Sequence, residues 1–303
     1  MVSETDFPTL SLAFMLRLFR ALSHLPLGLQ QAAGAFLGLA VYAASSTYRE
    51  RLRANLAQAG YAPGRMALAV ARETGRMLGE MPFVWFRTGA TAAVRRVQME
   101  GREHVDKAAS EGRGVLYLTP HLGCFEVSAQ VAAEWRPITV LYRPPRKAWV
   151  DSLVQARPRG QLRTVPATAA GMRPLLRALR NGEAVGLLPD QAPAAGEGVW
   201  APFFGRPAYT MTLPARLVQL TGAQIILAFA ERLPHGRGYI LHFRPFEGSL
   251  PDDPVEAATR INQAVESLIR MRPEQYLWGY NRYKAPPGSM PATQPSPAET
   301  SPS

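Results

Sequence analysis

One stretch carries residues able to do chemistry together: GVLYLTPHLGCFEVSAQVAAEW, residues 114 to 135, holding His121 and Glu126 five positions apart. The pattern is an apolar strand, a sharp turn with the histidine, then a helix with the glutamate in its first turn. Side chains five apart do not share a helix face, where neighbours are three or four apart. They can meet only if His121 belongs to the turn and Glu126 to the helix. There the carboxylate gains from the positive end of the helix dipole and can accept from one imidazole nitrogen. The other nitrogen is then free to take a proton, which makes a general base with an orienting acid. The nucleophile would be a hydroxyl on the substrate. The same spacing also suits a capped turn or a hydrogen-bonded structural histidine. A zinc site would need a fuller ligand set than this pair, and no metal is expected.

The elements around the pair alternate in the α/β manner. Apolar runs at GVLYLT, ITVLY, LRTVP, AVGLLP, IILAFA and YILHF read as strands. Helical patterns lie between them at REHVDKAASEG, residues 124 to 135, WVDSLVQA, MRPLLRALRNG and TLPARLVQLTG, with a long one at PVEAATRINQAVESLIRM. RMALAVARETGRMLGEMPFVWF reads as one long amphipathic helix, and GEGVWAPFFGRPA as a glycine-flanked loop. The predicted fold is α/β, a mixed, largely parallel sheet flanked by helices. In such sheets ligand sites gather beyond the carboxyl ends of strands, where His121 and Asp190 both fall. Asp190 also suits a helix cap or a turn.

The 303 residues are 47% hydrophobic, enough for a substantial core. A formal charge of +11 fits an acidic partner: nucleic acid, an anionic membrane surface, a phosphorylated substrate or an acidic carrier. The basic residues are scattered and match no nucleic-acid-binding motif, so nucleic acid is not expected. The single cysteine, Cys124, excludes an intrachain disulfide and reads as a buried bystander.

Residues 9 to 27, TLSLAFMLRLFRALSHLPL, are apolar but carry Arg17, Arg20 and His24. Those charges favour an interfacial helix over a spanning one. The following segment has an apolar heart of about 13 residues, against roughly 20 for a span. Residues 1–60 are therefore read as amphipathic membrane-associating helices, with ordinary amphipathic core helices as the alternative; Arg49, Arg51 and Arg53 could meet anionic headgroups or form a solvated helix face. Glu4 and Asp6 stand where a basic leader would begin, so no cleavable signal is expected. Residues 61–284 are read as the catalytic domain. The Pro- and Ser-rich residues 285–303 are expected to be disordered.

From roughly residue 10 to residue 284, the chain resembles the late acyltransferases of lipid A biosynthesis, the lauroyl and myristoyl transferases of the glycerolipid and lysophospholipid acyltransferase superfamily. The landmarks, in order, are RANLAQAG, YLTPHLGCFE, VLYRPPRKAWVDSLVQARPRG, GLLPDQAPAAGEGVWAPFFGRPA and PEQYLWGYNRYK. The resemblance implies a glycerolipid acyltransferase-like fold at the cytoplasmic face of the bacterial inner membrane. It implies transfer of a fatty acyl chain from acyl carrier protein to a hydroxyl of a lipid A precursor, with no cofactor. His121 would deprotonate that hydroxyl and Glu126 would orient it. Arg157 or Arg159 matches a functional arginine of the family, placed to help the oxyanion of thioester transfer. Arg143 could hold a phosphate or the carrier's phosphopantetheine arm.

Asp190 matches a recurring acidic position and Gln191 follows it, both as substrate-binding candidates. Ala192 departs from the second acidic residue often found next. Trp200, Phe203 and Phe204 could line an acyl slot or simply pack in the core. Trp278, Arg282 and Lys284 could form an edge at the bilayer. Other acceptors, such as a lysophospholipid, an ornithine lipid or a glycolipid, remain the alternative, as does an inactive scaffold.

Overall fold

Apolar runs too short for helices become strands in the computed structural model, which describes residues 12–87, 93–143, 148–156 and 161–289. Seven of them make one sheet: β1 (Val97–Glu100), β2 (Val115–Leu118), β3 (Ile138–Tyr142), β4 (Leu162–Pro166), β5 (Ala184–Leu187), β8 (Gln224–Arg232) and β9 (Tyr239–Pro245). Two more, β6 (Gly198–Phe203) and β7 (Arg206–Met211), pair only with each other. The large sheet runs β1-β9-β8-β2-β5-β3-β4, and only the β8–β9 pairing is antiparallel. This is the mixed, largely parallel α/β sheet expected. β2 lies centrally between β8 and β5 and is buried along its whole length, which explains its unbroken apolar sequence.

Successive residues of β2 face opposite layers. Leu116 and Leu118 join a core with residues of α3 (Ser46–Gln58), α4 (Pro63–Gly79), α9 (Ala169–Arg180), α10 (Leu213–Thr221) and α11 (Pro254–Met271). Val115 and Tyr117 join a second core with α5 (Met81–Phe86), α6 (Arg102–Ser110) and α7 (Phe125–Trp135). The remaining helices are α1 (Leu12–Ser23), α2 (Leu27–Ala44) and α8 (Ala148–Ala156).

Three expectations about elements change. The long helix over residues 65–86 is two helices, because Pro82 cannot continue α4 and instead sits in the first turn of α5. The loop expected at GEGVWAPFFGRPA is the β6–β7 hairpin. Phe204 and Gly205, at its tip, have φ of 47° and 74°, as a tight hairpin turn of the I′ kind requires. Finally, α2 runs 18 residues, so by length and composition it is the one described helix able to cross a membrane.

Helix α2 nevertheless packs along α4, and glycines make the approach possible. A Cβ on Gly34 or Gly75 would lie well under 3.0 Å from the other's carbonyl, and one on Gly38 or Gly79 would strike Ala71 or Gln30 in the same way. Gly75→Ala is therefore expected to cost about 2 kcal/mol through overpacking. Gly64→Ala, with nothing within 4 Å of its new methyl, should leave the melting temperature level or slightly higher. Equal melting temperatures for the two variants would refute this account of the crossing. The outer face of α2 stays apolar and open, with Phe36 72% and Leu37 62% exposed, and Phe14 and Leu18 of α1 are exposed as well.

Candidate active site

His121 lies three residues beyond Leu118, the last residue of β2, and Asp190 lies three beyond Leu187, the last of β5. Leu118 and Leu187 are register partners, so equal offsets bring the two side chains together. Asp190 accepts twice from His121: Oδ2 from the backbone N–H at 2.9 Å and Oδ1 from Nδ1 at 2.8 Å. With Nδ1–H given to the carboxylate, Nε2 keeps its lone pair. The Gln191 side-chain amide donates to that lone pair at 3.1 Å. Phe125 meets the ring edge-on, with centroids 5.0 Å apart.

Asp190 is fully buried, which alone would raise its pKa. Its interaction with the His121 ring and the hydrogen bonds it accepts outweigh burial, and the pKa falls below its ordinary value of 3.8. A carboxyl with a lowered folded-state pKa stabilises the fold above its ordinary pKa and loses that effect as pH falls through the lowered value. Asp190 thus stays ionised near neutrality and keeps the proton on Nδ1. Tyr276 beside it has its own pKa pushed well up by burial and then by the Asp190 charge.

The turn itself is tied through its backbone to neighbouring segments. The Leu277 N–H donates to the His121 carbonyl, Gly123 N–H to the Gln275 carbonyl, and Cys124 N–H to the Ala230 carbonyl. Gly123 has φ of 61°, and a Cβ there would collide with the Ala230 carbonyl. Only glycine fits both demands.

Here the structure differs from the expected pairing. The imidazole is held by Asp190, whereas Glu126 Oε2 accepts from Trp85 Nε1 of α5 at 3.2 Å. The cause is strand register: β5 delivers its carboxylate to the histidine, while α7 carries Glu126 toward α5. A signal for this lay in the sequence. LTPH and LLPD end two apolar runs with the same proline followed by an ionisable residue.

His121 and Gln191 open on a cavity of about 580 Å³. Leu141, Met172, Leu175, Leu188, Met211 and Leu213 give it apolar walls, while Arg143 and Arg216 bring positive charge. Arg143 is exposed at the end of β3, and Arg216, on α10, was not foreseen. Arg157 and Arg159 lie outside the described residues, as does the tail from residue 290.

The aromatic candidates do not line the cavity. Phe203 and Phe204 are core residues, with Phe204 against Trp278, and Trp200 donates from Nε1 to the Ser289 carbonyl at 2.7 Å. Nor do Trp278 and Arg282 form an exposed edge, being 2% and 3% exposed. The Arg282 guanidinium donates to the Tyr209 carbonyl and the Thr210 hydroxyl, both at 2.7 Å. Asn55, of the RANLAQAG landmark, donates to the Trp278 carbonyl at 2.7 Å and so pins that segment to α3. Arg49 donates to carbonyls at the end of α2, while Arg51 and Arg53 are exposed. Cys124 is buried, which pushes its thiol pKa well up and leaves no reactive thiolate.

Comparison with known proteins adds a family to this geometry. The family model described as bacterial lipid A biosynthesis acyltransferase matches residues 5–285. The lipid A biosynthesis lauroyltransferase of Escherichia coli (strain K12) is 30% identical over 232 residues, covering 75% of this chain and 74% of the relative. The palmitoleoyltransferase of the same organism is 30% identical over 223 residues, covering 71% and 70%. Its myristoyltransferase is 27% identical over 192 residues, covering 60% and 57%.

Proposed function

The chain belongs to the bacterial lipid A biosynthesis acyltransferase family, and from that membership we propose that it moves a fatty acyl group from an acyl carrier protein thioester to a hydroxyl of a lipid A precursor. The observation that carries the reading is the His121–Asp190 pair, with the Nε2 lone pair directed at a cavity of mixed lining, apolar walls beside Arg143 and Arg216.

The steps follow from the tautomer. The acceptor hydroxyl displaces the Gln191 amide from Nε2 and gives up its proton there. Its oxygen bonds to the thioester carbon, whose carbonyl becomes an oxyanion. Collapse of that oxyanion breaks the C–S bond, and the imidazolium returns its proton to the departing thiolate. Asp190 stabilises the imidazolium throughout. The oxyanion falls to an arginine, Arg157 or Arg159, in keeping with the family motif. Glu126, held by Trp85 in the first turn of α7, is a secondary contributor.

The acyl tail takes the cavity wall formed by Met172, Leu175, Met211 and Leu213, in place of the Trp200, Phe203 and Phe204 slot. Arg143 and Arg216 bind phosphate, on the acceptor or on the carrier's arm. Arg173, Arg177 and Arg180 share one exposed face of α9, whose first turns line the cavity, and fit an acidic carrier. The open apolar faces of α1 and α2 suit the cytoplasmic face of the inner membrane.

Arg216→Ala is expected to raise the KM of one substrate about tenfold with kcat nearly unchanged, the usual scale for a charged hydrogen bond. Steady-state kinetics with each substrate varied in turn would show it, and an unchanged KM for both would remove Arg216 from binding. The function itself is tested by mass spectrometry of the products formed from a mixed acyl carrier protein pool, a lipid A precursor and lysophospholipids. One acyl mass gained on the lipid A precursor supports the reading. Acylation of the lysophospholipids alone moves the enzyme to another acceptor.

A further inference from the structure

One backbone group of the His121 turn is held by a side chain from the end of the neighbouring strand. The Gly123 carbonyl accepts from Arg232 Nη2 at 3.1 Å, and Arg232, the last residue of β8, is 3% exposed. The same guanidinium grips Glu80 with two bonds, Nε to Oε2 at 2.8 Å and Nη2 to Oε1 at 2.5 Å. Nη1 donates to Glu73 Oε2 at 3.0 Å. Glu80 is wholly buried and also accepts from Gln31 Nε2 of α2 at 2.9 Å and from the Tyr239 hydroxyl at 3.2 Å.

Stability is a poor reason for such a cluster. Ions taken out of water cost several kcal/mol each, and well-packed apolar replacements are often as stable or more so. What an apolar cluster cannot do is direct a donor. The guanidinium is planar and rigid, so its paired bonds to Glu80 fix its plane, and with it the N–H that meets the Gly123 carbonyl. Gly123 stands two residues from His121 in a turn that is also tied to backbone and to Asp190.

We propose that Arg232, locked by Glu80 and Glu73, is a positioning residue that sets the height and tilt of the His121 imidazole through the Gly123 carbonyl. The inference rests on the reading of His121 as the general base. Because the cluster takes residues from α2, α4, β8 and β9, it makes the placement of the base a property of how those elements pack together.

Arg232→Lys tests it in the full-length, detergent-solubilised protein. An ammonium can still neutralise Glu80, but it has no fixed fork to serve Glu80, Glu73 and Gly123 together. The expected result is a folded protein melting within a few degrees of the parent. Its kcat should fall about ten- to a hundredfold, the scale of a misplacement of about 1 Å, with both KM values unchanged. The low-field proton NMR signal of the His121 Nδ1–H, assigned by its absence in His121→Ala, should shift or broaden.

A folded variant with kcat within twofold of the parent and an unmoved signal overturns the proposal, and so does a loss confined to KM. Should the lysine variant fail to fold, Arg232→Met combined with Glu80→Gln removes the buried charge pair and is judged by the same readouts. Retained activity in His121→Ala would bring down the general-base reading, while the NMR signal would still report whether Arg232 positions the ring.

Discussion

His121→Ala is expected to leave a folded protein whose acyl transfer has fallen about two to four orders of magnitude, the range for loss of a well-placed general base. Because Asp190 takes the Nδ1 proton, the histidine faces the cavity with an Nε2 lone pair ready for a proton, held meanwhile by the Gln191 amide. Its removal leaves Asp190 Oδ1 without the imidazole, and a buried acceptor that loses its partner costs about 1–3 kcal/mol. Oδ2 keeps the backbone N–H at residue 121, so the turn should survive with a modest drop in melting temperature. Product mass spectrometry beside a circular dichroism melt separates the two effects. Near-parental turnover in a folded protein would end the mechanism.

The His121 turn was legible because an apolar run, a turn with His and Gly, and a helix start follow one another within a short span. Its partner was harder to see, since Asp190 is 69 residues away and only the β2–β5 register joins them. Parallel strands read as unbroken apolar runs, and nothing within such a run states which neighbour it pairs with. The β6–β7 hairpin was hidden for a different reason. Its tip lacks the usual Asn-Gly, and Pro202 faces Pro207 at the pair next to the turn-closing Phe203–Arg206. A two-residue hairpin makes that a non-hydrogen-bonded pair, so the ladder needs no N–H from either proline. Trp278 and Arg282 misled because an aromatic beside a cation looks the same at a bilayer as in a core. The carbonyl of Tyr209 and the hydroxyl of Thr210, brought in by the hairpin, together with the Asn262 side chain of α11, give Arg282 a buried place.

Asp190→Asn should be as damaging as loss of the histidine, at about three to four orders of magnitude in kcat, the scale of such a change beneath a catalytic imidazole. The reason is a count of acceptors. Asp190 receives the backbone N–H of His121 on one oxygen and Nδ1–H on the other. Asparagine offers one oxygen and one NH₂ group. If the oxygen keeps the backbone N–H, the amide nitrogen faces Nδ1 and forces the lone pair there, which moves the proton to Nε2 and removes the base. If the amide flips, Nδ1–H is satisfied but a backbone donor in the turn meets an NH₂ group, and the turn must shift. Either outcome disables transfer without emptying the site, and KM should change little. Glu126→Gln keeps a carbonyl oxygen to accept from Trp85 and leaves both bonds between Asp190 and His121 in place, so its loss should be at least tenfold smaller. Steady-state kinetics on the two variants decides between the carboxylates. A larger loss at Glu126 than at Asp190 would return the orienting role to the helix and demote the strand-end pair.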